Sequence, residues 1–138
     1  MINIKPLKAY TDNYIWLLET NEEVSIVDPG DAKPVLDYLS KTNKNIRDIF
    51  ITHHHFDHTA GVPELENIIS GSIYGPKNSY ELINEKVTQG DTLSSLGIKF
   101  EIIEVPGHTL DHIAFYNEEN DILFCGDTLF AGGCGRVF

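Results

Sequence analysis

The stretch that most constrains this chain is an apolar triplet running straight into a run of histidines. Ile49-Phe50-Ile51 is followed at once by Thr52-His53-His54-His55-Phe56-Asp57-His58, and four of the chain's six histidines lie in that run. Three consecutive apolar residues suit a strand covered on both faces. A His-x-His-x-Asp-His pattern places imidazoles and a carboxylate within six positions, which is metal-ligand chemistry. The sequence therefore calls for a buried strand whose C-terminal end is a loop of ligand-type side chains, held by rigid backbone.

The flanking chain reads as strands with helices inserted among them. Ile2 to Leu7 alternates apolar and polar residues, and Tyr14 to Glu19 and Val24 to Val27 are two further strand segments. Asn21-Glu22-Glu23 between the last two is a hairpin turn. Asp31 can cap a helix, Pro34 is tolerated only in its first turn, and the asparagines at 43 and 45 stop it. Val62 to Ile69 reads as a short helix and Ser72 to Tyr74 as a brief strand. Pro76 to Asn84 is predicted helical. Ile98 to Ile102 alternates cleanly, and Ile113 to Tyr116 and Ile122 to Cys125 are strands. Two sheets packed face to face with helices outside would bury these patterns.

Two more segments place a ligand-type residue where a strand gives way to a loop: Pro106-Gly107-His108-Thr109 and Gly126-Asp127-Thr128. If the strands share one sheet edge, all three loops converge. His53, His55 and His108 then supply three ligands and leave one position open, the pattern of a catalytic zinc. Asp57 and His58 begin a second set, and Asp127 can bridge two ions. His112 reads as a packing or supporting histidine, Cys125 as a buried strand residue, and Asp28 as either an orienting carboxylate or a turn residue. Imidazole and carboxylate donors also suit iron or manganese.

Composition narrows the partners. The 138 residues are one domain or part of one. Acidic residues outnumber basic ones 21 to 10, and the net charge of −11 disfavours nucleic acid and anionic membrane. Met1 to Lys5 lacks a secretory pattern, and Cys125 and Cys134 are too few for a disulfide framework, so a cytoplasmic setting is expected.

Together these segments resemble the metallo-β-lactamase superfamily, and most closely its glyoxalase II branch, the hydroxyacylglutathione hydrolases. The resemblance rests on residues 52–58, 106–109 and 124–136, the last ending in Gly133-Cys134-Gly135-Arg136, with support from Asp12-Asn13-Tyr14 and Val27-Asp28-Pro29-Gly30. It implies an α+β fold over residues 1–138, an αββα sandwich of two mixed sheets with helices outside, C-terminally incomplete because the branch continues into a further strand, helices and a helical substrate domain. It implies zinc, two ions per complete site, with His53, His55 and His108 on the first, Asp57 and His58 on the second, and Asp127 between them. Asp57 is the implied catalytic residue, orienting a metal-bridging hydroxide that hydrolyses a glutathione thioester such as S-lactoylglutathione, the chemistry of methylglyoxal detoxification. Arg136 and Phe138 match positions that hold the glutathione moiety, Phe138 standing where a tyrosine is usual. Ala60 and Asp111 depart from usual glycines. The branch's further histidine for the second metal has no counterpart here, so that site is expected to be weaker. A missing last strand would leave a sheet edge open to self-association. Two alternatives stand beside the thioesterase reading: a non-catalytic fragment binding one metal, and another hydrolase of this fold such as a lactonase.

Overall fold

The computed structural model describes residues 2–9, 13–53, 56–77, 81–105, 112–125 and 136–137. Its first sheet is built from β1 (Asn3–Ala9), β2 (Asn13–Glu19), β3 (Glu23–Val27), β4 (Asn45–Phe50), β5 (Ile73–Pro76) and β6 (Glu85–Val87), in that spatial order. The first three strands pair antiparallel and the last four run parallel. The second sheet has the order β11 (Arg136–Val137), β10 (Ile122–Phe124), β9 (Ile113–Asn117), β8 (Ile98–Glu104), β7 (Thr92–Ser95), antiparallel throughout.

β4 shows why the layers stack as they do. Ile49 and Ile51 face one cluster, with Ala32, Val35, Val62 and Leu65 from the helices. Phe50 faces the other, between the sheets, with Phe100, Ile102, Phe115 and Phe124. Both faces of the strand are thus buried, as the apolar triplet requires. β8 is buried on one face only: Phe100 and Ile102 point inward while Lys99 and Glu101 are exposed.

The helices α1 (Ala32–Thr42), α2 (Phe56–Thr59) and α3 (Val62–Leu65) follow the first sheet's strands, and α3 runs into a single 3-10 turn, Glu66–Ile68. Asp31 caps α1 by accepting from the Lys33 amide at 3.1 Å. Asn43 ends it in the left-handed region, its amide donating to the Leu39 carbonyl at 2.9 Å. Among the described residues no helix covers the outer face of the second sheet, and none is long and apolar enough to cross a membrane.

The helix predicted over Pro76 to Asn84 is not formed among the described residues. Pro76 ends β5, residues 81 and 82 are a turn, and β6 begins at Glu85. Ile83 is buried against Gly75, where a Cβ would lie 2.4 Å from its terminal methyl. Asn84 uses its side-chain carbonyl to accept from the Ile73 amide at 2.9 Å. Each contact draws the segment onto β5, and so tertiary pairing overrides a weak helical pattern.

Phe50 is the centre of the inter-sheet layer. Its ring stacks on Phe115 at 4.7 Å and meets Phe100 and Tyr74 edge-on at 5.3 and 5.8 Å. Phe50→Ala is expected to cost about 3–5 kcal/mol, read from urea denaturation. A loss below about 1 kcal/mol would show that this ring cluster does not hold the sheets together.

Candidate metal centre

The register of β3 and β4 builds the site. Val27 pairs with Phe50, so the two parallel strands end side by side. The chain leaves β3 through Asp28, which has a positive φ of 52°. Asp is among the few residues that tolerate this region. The turn is held by the Asp28 amide donating to the Phe50 carbonyl and the Gly30 amide donating to the Asp28 carbonyl, both at 2.8 Å. It carries the Asp28 carboxylate over the end of β4.

There the carboxylate meets the start of the histidine run. Oδ1 accepts from the Thr52 amide at 2.8 Å, and Oδ2 accepts from the Thr52 hydroxyl at 2.6 Å. Nδ1 of His58, on α2, lies 3.0 Å from Oδ2. The Thr52 hydroxyl is also 2.9 Å from Nδ1 of His53. All four residues are buried.

These contacts determine the tautomers. A hydroxyl has one proton, and Thr52 gives it to Asp28, so toward His53 it accepts. Nδ1 of His53 therefore carries the hydrogen. An ionised carboxylate only accepts, so Nδ1 of His58 also carries its hydrogen. In both neutral rings the lone pair is left on Nε2, and in His53 that atom is buried. A hydrogen bond from the other ring nitrogen is the usual way a metal-binding histidine is oriented.

Ligand-type atoms of Asp28, His53 and His58 lie within 4.8 Å of one another. With both Asp28 oxygens engaged by Thr52 and His58, its role is to orient His58 and hold the end of β4. Burial pushes the Asp28 carboxyl up; the positive charge and hydrogen bond that His58 offers when its ring is protonated, with help from protonated His53 and the Thr52 hydroxyl, outweigh it and hold the group below the usual carboxylate range. Asp28 is thus both the turn residue and the orienting carboxylate that its sequence position suggested.

His112 supports the cluster from the second sheet. It is buried, its ring stacks on His53 at 4.5 Å, and His53 in turn lies 4.3 Å from His58 at a tilt. Nε2 of His112 donates to the Cys125 carbonyl at 2.7 Å. Cys125 is buried, one position past the end of β10.

Of the other predicted site residues, Asp57 lies on α2 one position before His58, and Arg136 lies on β11, paired with Leu123. His55, His108, Asp127 and Phe138 fall outside the described residues, as does His54. Thr52 opens the histidine run in the sequence but carries no role of its own there. Its one signal was its place between the buried strand and the first histidine, where a hydroxyl can reach both neighbours. The donor set, two Nδ1-protonated imidazoles beside an acidic residue, suits a divalent transition metal.

A two-sheet sandwich with such a cluster at its strand ends defines a class, and the Metallo-beta-lactamase superfamily model matches residues 11–138. The chain belongs to this superfamily. Within it, the chain is 50% identical over 145 residues to a hydroxyacylglutathione hydrolase of Pseudoalteromonas translucida, covering 100% of this chain and 54% of that protein. A hydroxyacylglutathione hydrolase of Idiomarina loihiensis is 47% identical over 140 residues, covering 99% and 54%. The chain thus spans about half the length of these curated relatives. Among solved structures, BLEG-1 B3 metallo-beta-lactamase superposes with a TM-score of 0.79 at 23% identity, covering 99% of this chain and 76% of that one, which supports the fold.

Asp28→Ala removes the acceptor shared by Thr52 and His58. It is expected to weaken metal binding about 10- to 100-fold in competition with a chromophoric chelator. Unchanged affinity would show that the carboxylate does not orient the ligands.

Proposed function

We propose that this chain is the metal-binding part of a hydroxyacylglutathione hydrolase and that it hydrolyses a glutathione thioester, such as S-lactoylglutathione, to a hydroxy acid and glutathione. The observation that carries the reading is the buried Asp28-Thr52-His53-His58 lattice at the end of β4, in a chain matched over its whole length by relatives of that name.

In this reading His53, His55 and His108 hold one ion, Asp57 and His58 the other, and Asp127 both. Zinc is the proposed metal, and the same donors accept iron or manganese. When bound, the metal pair supplies an acidified water and polarises the thioester carbonyl. The protein's part is to fix the donors. Asp28 and Thr52 keep the hydrogens of His53 and His58 on Nδ1, so their Nε2 lone pairs need no reorganisation during turnover. His112, stacked on His53, keeps that ring from turning. Asp57 orients the attacking water. The leaving thiol, with an ordinary pKa near about 8.5, departs as thiolate with little acid help. Arg136 and Phe138 hold the glutathione half. The cytoplasm, where glutathione is abundant, is the proposed setting.

The test is thioester hydrolysis by the metal-loaded 138-residue chain, followed as loss of thioester absorbance. Turnover is expected to vanish with a chelator, return on adding metal, and fall about 100-fold or more in His53→Gln along with metal content. One bound metal and no turnover would replace this reading with a non-catalytic binding domain. Hydrolysis of lactones but not thioesters would replace it with a lactonase.

A further inference from the structure

Away from the metal cluster, one strip of side chains runs out of the inter-sheet core toward the same end of the molecule. On β2 the residues facing the second sheet are Leu18, Trp16 and Tyr14. Leu18 is fully buried, Trp16 half-buried, and Tyr14 is 51% exposed. Ile2, Ile4 and Trp16 pack on the inter-sheet cluster, which fixes the even-numbered residues of β1 and β2 on that face. Lys8 is the direct cross-strand partner of Tyr14 and so shares it.

The register sets the distance to the centre. Trp16 pairs with Val27, the residue before Asp28. Two residues further along β2, Tyr14 lies about 7 Å beyond that level, beside the Asp28-Pro29-Gly30 turn. Lys8 is one strand further out, about 10 Å sideways from β3. Tyr14 and Trp16 form a tilted ring pair at 6.0 Å. Lys8 is exposed and makes no ion pair among the described residues, in a chain with twice as many acids as bases.

An exposed ring beside the Asp28-Pro29-Gly30 turn and an exposed cation about 10 Å from β3 suit a particular ligand shape. The reacting end is neutral, the stem carries peptide planes, and an anion sits at the far end. We infer that Tyr14 and Lys8 form a subsite for a carboxylate arm of the thiol half of the substrate, with Lys8 meeting the carboxylate and the Tyr14 ring lying against the adjoining peptide plane. This rests on the thioesterase reading and adds to it a second anchor for glutathione, on the first sheet's edge. A lysine on an edge strand also discourages strand addition. That role needs no aromatic partner and is indifferent to a ligand's charge, so the two are separable.

Trp16 is the chain's only tryptophan, and its fluorescence reports the strip directly. The metal-loaded chain is titrated with S-methylglutathione, which cannot be hydrolysed, and with its dimethyl ester, at low and high salt. The wild type is expected to prefer the free acid, and more so at low salt. Lys8→Glu should weaken acid binding about 5-fold and shrink the preference, Lys8→Arg should retain it, and Tyr14→Ala should weaken binding about 5-fold. Lys99→Glu, the same charge change at the opposite end of β8, should bind as wild type. Binding that neither Lys8→Glu nor Tyr14→Ala alters overturns the subsite while leaving the proposed function standing. A wild-type chain that neither binds the probe nor hydrolyses the thioester overturns the proposed function and the subsite with it.

Discussion

The Asp28 carboxylate spanning the ends of β3 and β4 is the interaction on which the rest depends. It takes two hydrogen bonds from Thr52 and one from His58, which joins a turn, a strand end and a helix 24 to 30 residues apart in sequence. Its surroundings make it hard to replace. A buried carboxylate with a partner missing loses several kcal/mol, so the lattice is stable only when complete. Removing Thr52 or His58 would therefore disturb Asp28, and removing Asp28 would release both imidazole orientations at once. The left-handed backbone at residue 28 is the local cost of bringing the carboxylate over β4.

Beneath the lattice, the inter-sheet layer divides along β4. Phe50, next to the site, packs among aromatic rings. Asp48, two residues earlier on the same face, is buried and polar. It accepts from the Ser72 amide at 2.8 Å and the Ser95 hydroxyl at 2.6 Å, and Ser95 meets Ser25. Gly71 allows this, since a Cβ there would lie 2.1 Å from the Asp48 carboxylate. A one-residue slip of β4 would carry Asp48 into the helix-side cluster and Ile49 against the serines. The polar end therefore fixes register more than it adds stability, and register is what brings Phe50 level with Val27 and Thr52 within reach of the Asp28 carboxylate.

Sequence reasoning reached the parts of this site that are local. The apolar triplet before the histidines, the cap at Asp31 and the stop at Asn43 each depend on neighbours a few residues away, and each formed as read. The segment over Pro76 to Asn84 did not, because Ile83 and Asn84 answer to β5 rather than to their own periodicity. Thr52 and the histidine tautomers were out of reach for the same reason. A threonine before a histidine carries no sign of whether a carboxylate 24 residues upstream will take its proton. Asp28 was legible only as a pair of options, and the left-handed turn shows that they are one.

The second sheet completes the arrangement by where its loops begin. The Ile113 amide donates to the Thr52 carbonyl at 2.9 Å, tying the start of β9 to the end of β4. The Val105 amide donates to the His112 carbonyl, closing the base of the segment that carries His108. His112 reaches from there to the Cys125 carbonyl, the last position before the segment that carries Asp127. Val105, His112 and Cys125, which flank these segments, are thus tied to one another, and His112 stacks on His53. The proposed centre, with donors from both sheets, needs its loops started from fixed points, because a displacement of about 1 Å at a ligand is enough to lose the geometry. His112 and the hydrogen bond between Ile113 and Thr52 then tie the two sheets together at this end. Its ring is held on one side by a carbonyl of the second sheet and on the other by a histidine of the first.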